Sequence, residues 1–304
     1  MATTRRIPAD HGLTARMFVT GLLLVLLYAA VGGVLFALHA GIAVVVVIPL
    51  ALAFAQYWFS DKIALWGMGG HEVTPEQAPE LHGIVDRLCA LADMKKPRVA
   101  IADVDMPNAF ATGRSPNNAV VCATSGILRR LDEPELEAVL AHELSHVAHR
   151  DVAIMTIASF LGMVAGLVTR LMFYAGLFGG YGDDRDGNSA VGIEMAIMVV
   201  SAIVYAISFL LTMALSRYRE LAADRAGAIL IGRPSLLASA LVKVTGDMAR
   251  IPTRDLRSAE HFNAFYFTPA LANGTSLSSL FSTHPSLEKR LDQLARLEAE
   301  LHGA

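Results

Sequence analysis

The sequence predicts an α-helical membrane protein with four transmembrane helices and a cytoplasmic α+β domain carrying a small antiparallel sheet. Three observations predict it. First, 54% of the 304 residues are hydrophobic and 17% are charged, with a mean hydropathy of +0.47; an ordinary soluble domain carries about 25% charged residues. Second, the apolar excess is gathered in four blocks, residues 17–38, 41–59, 152–178 and 193–215, each near the roughly 20 residues a helix needs to cross hydrocarbon. Third, the stretches between and after these blocks mix polar and apolar residues with strand and helix periods. The chain divides accordingly into an N-terminal hairpin (1–59), a first polar part (60–151), a second pair of spans (152–215) and a C-terminal polar part (216–304).

Each block has its own justification. His39 and Ala40 leave room only for a tight turn, so the first two blocks cross and return. Arg5, Arg6 and Arg16 precede the first block, but its apolar run exceeds a signal core and a second span follows at once, which favours an uncleaved anchor. Arg150 stands before the third block, and Arg217 and Arg219 stand after the fourth. The loop between them holds Asp183, Asp184 and Asp186 against Arg185. Positive flanks stay inside, so both termini and residues 60–151 face the cytoplasm. Arg170 and Glu194 fall near the outer ends of their spans and read as interfacial side chains.

In the first polar part, residues 75–94 carry Leu81, Ile84, Val85, Leu88 and Leu91 on one helical stripe. Strand-like runs follow at 98–104, 108–112 and 119–123, punctuated by Pro107, Gly113, Pro116 and Asn117–Asn118. A helix then starts at Asp132 as N-cap, with Pro134 in the first turn and Glu135 placed for a capping box. After the fourth block the helix continues through 216–231 and ends near Gly232 and Pro234. Residues 235–249 and 286–301 are further helices, the last with Leu287, Leu291, Leu294 and Leu297 on one side. Residues 250–282 have no clear period and read as a loop with room for short helices, and this loop is the candidate gate of the site. The net charge of −3 and the absence of a basic run argue against nucleic acid. The two cysteines, Cys89 and Cys122, form no metal motif and read as free thiols.

The chemistry-bearing pattern is H-E-L-S-H at 142–146. On a helix, His142 and His146 at i and i+4 share a face and can meet one ion. Neutral imidazole suits zinc, and a catalytic zinc site keeps three protein ligands with one position open. Glu143, beside them, can take a proton from an attacking water and pass it to a leaving amine. The apolar flanks from Ala138 to Ala141 weigh against a merely solvated face. Glu220 and Asp224 in R-E-L-A-A-D offer a third ligand and, one turn on, a carboxylate to orient a ligand histidine. Height supports them. His146 stands six residues before the third block, roughly 9 Å along a helix, and Glu220 five residues beyond the fourth, roughly 7.5 Å on the same side. His149 could compete as a ligand, but the pair His142 and His146 is the one that places Glu143 between them. His284, in F-S-T-H-P-S, is on its own a helix-start residue.

As an ordered set, M-P-N-A-F-A at 106–111, H-E-L-S-H, S-R-Y-R-E-L-A-A-D at 216–224 and T-H-P-S-L-E-K-R at 283–290 resemble the HtpX-type heat-shock proteases, relatives of the CAAX prenyl endopeptidases. The resemblance covers nearly the whole chain. It implies a gluzincin-type zinc metalloprotease with one Zn2+ per chain, His142, His146 and Glu220 as ligands, Glu143 as catalytic base and Asp224 behind the ligands. It implies that Asn108, Ala109 and Phe110 lie on an edge strand pairing with the substrate backbone, and that His284 lies near the catalytic centre, where it could stabilise an oxyanion. The implied setting is the bacterial inner membrane, with the lipid bilayer and damaged or misfolded membrane proteins as partners.

Three other readings compete. A zinc-binding scaffold that holds clients without cutting would have no use for Glu143. An intramembrane protease would bury the motif in hydrocarbon, but that helix carries Asp132, Glu133, Glu135, Glu137, His149, Arg150 and Asp151. A transporter would need more polar groups at mid-membrane than the spans offer.

Overall fold

A computed structural model describes residues 11–37, 42–178, 187–248 and 284–303. The turn at 39–40, the acidic loop around Asp184, the segment 250–282 and the side chain of Glu194 lie outside the described residues. The four apolar blocks all fold as helices: α1 (His11–Ala37), α2 (Ile42–Trp58), α7 (Asp151–Phe178) and α8 (Gly187–Ile231). Helix α8 lies between α1 and α7, and α2 packs on α7. Leu24, Ala158 and Leu215 form a small buried contact among three of them, and the Thr212 hydroxyl donates to the Ala158 carbonyl at 3.2 Å. Residues 151–170 of α7 and 197–231 of α8 are long and apolar enough to cross a membrane, and α1 holds a shorter apolar run, Thr14–Leu27. Arg170 is exposed on α7.

The remaining elements form one core. They are α3 (Ser60–Met68), β1 (Gly70–Glu72), α4 (Pro79–Ala92), β2 (Arg98–Ala102), β3 (Ala109–Thr112), β4 (Val120–Thr124), α5 (Ser125–Arg130), α6 (Glu133–Ala148), α9 (Pro234–Met248) and α10 (Leu287–His302). Among the described residues the strands make one four-stranded sheet in the order β1-β2-β4-β3. It is mixed, which corrects the expected antiparallel sheet: β2 runs parallel to β4, while β1–β2 and β3–β4 are antiparallel. The chain leaves β2, passes to the far edge as β3 and returns as β4 between them. All five residues of β4, Val-Val-Cys-Ala-Thr, are buried, as a strand covered on both faces requires. Its hydroxyl anchors the crossing: Thr124 Oγ1 donates to the Met106 carbonyl at 2.7 Å and accepts from the Asn108 N–H at 2.9 Å. Gly126 is needed beneath that crossing, since a Cβ there would sit 2.1 Å from the Asp105 carbonyl oxygen.

Helix α6 runs through the middle of the core, against β3 on one side and α8 and α9 on the other. Its start is as predicted. Asp132 Oδ1 accepts from the Glu135 N–H at 3.0 Å, and Glu135 Oε2 accepts from the Asp132 N–H at 3.3 Å. Glu135 also accepts from Ser239 Oγ at 2.7 Å and Lys243 Nζ at 2.6 Å, tying α6 to α9. Leu136, Val139, Leu140 and Leu144 are all buried, and burying each side chain stabilises by about 1.5–3 kcal/mol. Cys89 and Cys122 are buried free thiols. Where the apolar helices meet this core, the Tyr57 hydroxyl donates to the Arg114 carbonyl at 2.7 Å and the Arg114 guanidinium lies 4.2 Å over the Trp58 ring, fastening the end of α2 to the turn after β3.

Candidate metal centre

The centre is built where α6 and α8 touch backbone to backbone. A Cβ at Gly227 would lie 2.7 Å from the His142 nitrogen and 2.9 Å from its Cα, so glycine is what permits the approach. Glu220, Asp224 and Gly227 recur at i, i+4 and i+7 on one face of α8, and that face meets His142 and His146 on α6. One ligand atom from each of His142, His146 and Glu220 lies within 4.8 Å of the others. The two Nε2 atoms are 3.3 Å apart. Glu220 Oε1 stands 3.4 Å from His146 Nε2, and Glu220 Oε2 3.7 Å from His142 Nε2. Two imidazoles and one carboxylate converging on one point is the donor set of a catalytic zinc site. His149 is exposed at the end of α6 and stands outside this group.

The nitrogens facing away from that point are held as well. His142 Nδ1 lies 2.9 Å from Asp224 Oδ1, as the spacing of Glu220 and Asp224 suggested. Asp224 is itself gripped by Arg290 on α10, with Nε at 2.7 Å and Nη2 at 2.6 Å; both residues are fully buried. His146 Nδ1 lies 2.5 Å from Asp151 Oδ2, and Asp151 pairs with Arg219. Sequence reasoning assigned no site role to Arg290, Asp151 or Arg219. A signal existed for Arg290, which falls three residues after Leu287 and four before Leu294 on the apolar stripe of α10, where a solvated arginine would not be placed.

Glu143 is buried beside His146 and Glu220, and its Oε2 accepts a hydrogen bond from the Ala111 N–H of β3 at 3.1 Å. Burial pushes its carboxyl up to about 8, with the negative charge of Glu220 adding to the effect and His146 opposing it. Burial works against a proton on His146, but the hydrogen bond to Asp151 and the charge of Glu220 outweigh it and raise the imidazole to about 9 in the metal-free protein. His284, at the start of the α10 segment, reaches the centre: its Nδ1 stands 3.0 Å from Glu220 Oε2. Asn108 and Phe110 are buried. The Asn108 carbonyl accepts from the Thr124 N–H at 2.9 Å, so the backbone of Asn108 faces β4.

The segment between the motif and the third apolar block is not one continuous helix. Helix α6 stops at Ala148, and Arg150 takes a left-handed conformation with φ 55 before α7 begins at Asp151. That break turns the Asp151 carboxylate back to His146.

Comparison with known proteins identifies the family. The profile of peptidase family M48 matches residues 75–298. A Streptomyces coelicolor protein named Protease HtpX homolog 1 is 61% identical over 299 residues, covering 98% of this chain and 97% of the relative. A Moorella thermoacetica protein named Protease HtpX homolog is 54% identical over 298 residues, covering 98% of each. The crystal structure of Ste24p from S. mikatae superposes with a TM-score of 0.53 at 18% identity, over 92% of this chain and 67% of that one, and shares the fold. The chain therefore belongs to peptidase family M48 and is a metalloprotease.

Proposed function

We propose that the protein is an integral-membrane zinc endopeptidase that hydrolyses peptide bonds of damaged or misfolded membrane proteins. The observation that carries the reading is the convergence of His142, His146 and Glu220 on one point, with Glu143 beside them and tied to β3. In this reading the three ligands hold one zinc ion per chain, with Asp224 fixing His142. Zinc there supplies a Lewis acid for the scissile carbonyl and for the attacking water. Glu143 takes the proton of that water and delivers it to the leaving amine. Buried and fixed by Ala111, the Glu143 carboxylate is placed for both transfers. Oε2 is engaged by Ala111, so Oε1 is the oxygen left for the water.

The substrate backbone pairs along the outer edge of β3. Asn108 faces β4, and strand alternation turns Ala109 and Ala111 the other way; the Ala111 bond to Glu143 follows that alternation. Substrate contact along this edge therefore falls to the Ala109 backbone and the Ala111 carbonyl, the Ala111 N–H being held by Glu143; Ala109 is buried like Asn108 and Phe110, and Ala111 is the half-buried position of the strand. His284 holds Glu220 through Nδ1, and its Nε2 is the nitrogen that would stabilise a tetrahedral oxyanion.

The membrane setting rests on exposed apolar side chains along all four long helices: Phe18 and Val25 on α1, Leu52 and Phe54 on α2, Ile157 on α7, Val200 and Ile203 on α8. Such a belt marks contact with lipid. We read α1, α2, α7 and α8 as four spans with the metal centre and both termini on the cytoplasmic side of the bacterial inner membrane. The test is cleavage of an unfolded model protein by the detergent-purified full chain. Chelation should abolish cleavage and zinc should restore it; cleavage that survives complete removal of metal would refute the reading.

A further inference from the structure

Among the described residues, two carboxylates stand against the outward nitrogens of His142 and His146, and Asp224 is one of them. The other, Asp151, is the first residue of α7, and no spacing rule of the H-E-x-x-H motif calls for it. Its Oδ2 stands 2.5 Å from His146 Nδ1. That bond fixes the tautomer and directs Nε2 toward Glu220 Oε1 at 3.4 Å and His142 Nε2 at 3.3 Å. The carboxylate is 5% exposed and its counter-ion Arg219 is 7% exposed, so solvent does not screen the pair. Arg219 is the residue before Glu220 on α8. The backbone bends at the contact: Arg150, at φ 55, occupies the left-handed region that a side-chain-bearing residue seldom adopts, and strain of this kind is held where the surroundings fix it.

We propose that Asp151 is a positioning residue for His146, locked by Arg219, and that the pair makes the metal centre depend on the packing of α7 against α8. The inference rests on the metal reading above. His142, Glu220, Asp224 and Arg290 come from α6, α8 and α10. His146 takes its orientation from α7, a helix that among the described residues brings no other side chain to the centre. The two histidines then have matching supports, Arg290–Asp224–His142 and Arg219–Asp151–His146. The second is anchored in α7 and α8, both long and apolar enough to cross a membrane. A shift of α7 relative to α8 would take the carboxylate off His146 while leaving the other ligands in place.

The alternative is that Asp151 only caps α7 and neutralises Arg219, contributing to the fold and not to the metal. Zinc affinity separates the two. It is measured by competition with a chelator of known affinity on the full chain in detergent, beside the thermal midpoint of the zinc-free form and the visible spectrum of the cobalt-substituted form. Asp151→Ala should bind zinc about 10–100-fold more weakly and alter the cobalt bands, with Asp151→Asn, which keeps an acceptor oxygen, losing about tenfold. Arg219→Met should weaken zinc and Arg219→Lys should recover most of it. If Asp151→Ala does not fold, Asp151→Asn and the Arg219 pair decide. Folded variants whose zinc affinity and cobalt spectrum equal the wild type would overturn the inference and leave the metal reading intact. A wild type that takes up no zinc would overturn both.

Discussion

At the scale of single residues, the centre is a set of buried charges that stand only in company. Arg290 and Asp224 are both buried and joined by two hydrogen bonds. Removing one partner of such a pair strands the other, at a cost of about 3–5 kcal/mol. Arg290→Met should therefore lower the thermal midpoint far more than Arg296→Met on the exposed face of the same helix; equal shifts would contradict the account. Protons give a second prediction. In the metal-free protein Glu143 titrates at about 8 against an ordinary 4.5, so the folded state keeps a proton that the unfolded chain has released. Stability of the metal-free protein must fall as pH rises through that window, by up to about 1.4 kcal/mol per pH unit. His146, raised from 6.5 to about 9, adds stability that is present below 6.5 and is lost as pH rises through 9. Glu143→Gln removes the first contribution, so its zinc-free thermal midpoint should gain on that of the zinc-free wild type between pH 5.5 and 7.5. A gap that does not change with pH would contradict the assignment. At this scale the sequence was most legible where chemistry is local. His142, Glu143 and His146 stand out by spacing on one helix, whereas the spacing of Glu220 and Asp224 is that of any helix surface and only their height beside the fourth block singled them out. Asp151, Arg219 and Arg290 did not stand out, because their partners lie on other elements, and in the sequence they pass for membrane flanks and a helix surface.

At the scale of elements, the contact of α6 with α8 decides whether the ligands meet. Gly227 lies against the backbone of His142, which cannot move aside as a flexible side chain would. Gly227→Ala should cost about 1–3 kcal/mol and weaken zinc binding, measured by thermal midpoint and chelator competition. Gly83→Ala in α4, where nothing lies within 4 Å of the added carbon, should instead stabilise by about 0.5–1 kcal/mol. Loss at both sites alike would mean that helix proximity is not what Gly227 provides. The helices were legible in the sequence because their apolar periods and caps are local: Asp132 with Glu135, Gly232, and Ser286 before α10. The sheet was legible only in part. The runs of β2, β3 and β4 stood out, but their order depends on a crossing held by Thr124 and Gly126, and β1 is three residues long, too short to show a period. The unbroken apolar run of β4 was the available sign of a central strand.

At the scale of the whole molecule, the peptidase core and the apolar helices are one construction, since α8 runs from the apolar bundle into the metal centre as a single helix of 45 residues, and α2 is fastened to the turn after β3 through Tyr57, Trp58 and Arg114. A chain with four spans should stay in the membrane fraction under alkaline carbonate; release into the soluble fraction would contradict the bilayer reading of the exposed apolar belt. The four apolar blocks were legible from hydropathy alone. How they pack was not, because side chains that face lipid and side chains that face a neighbouring helix are equally apolar. The central claim is that three ligands hold zinc and that Glu143 moves the proton. The most direct measurement is cleavage of an unfolded model protein by the purified wild type beside Glu143→Gln, with zinc content determined on the same samples. The account predicts one zinc per chain in both, cleavage by the wild type, and a loss of at least about 100-fold in the variant. A variant that holds zinc and cuts at the wild-type rate would contradict it.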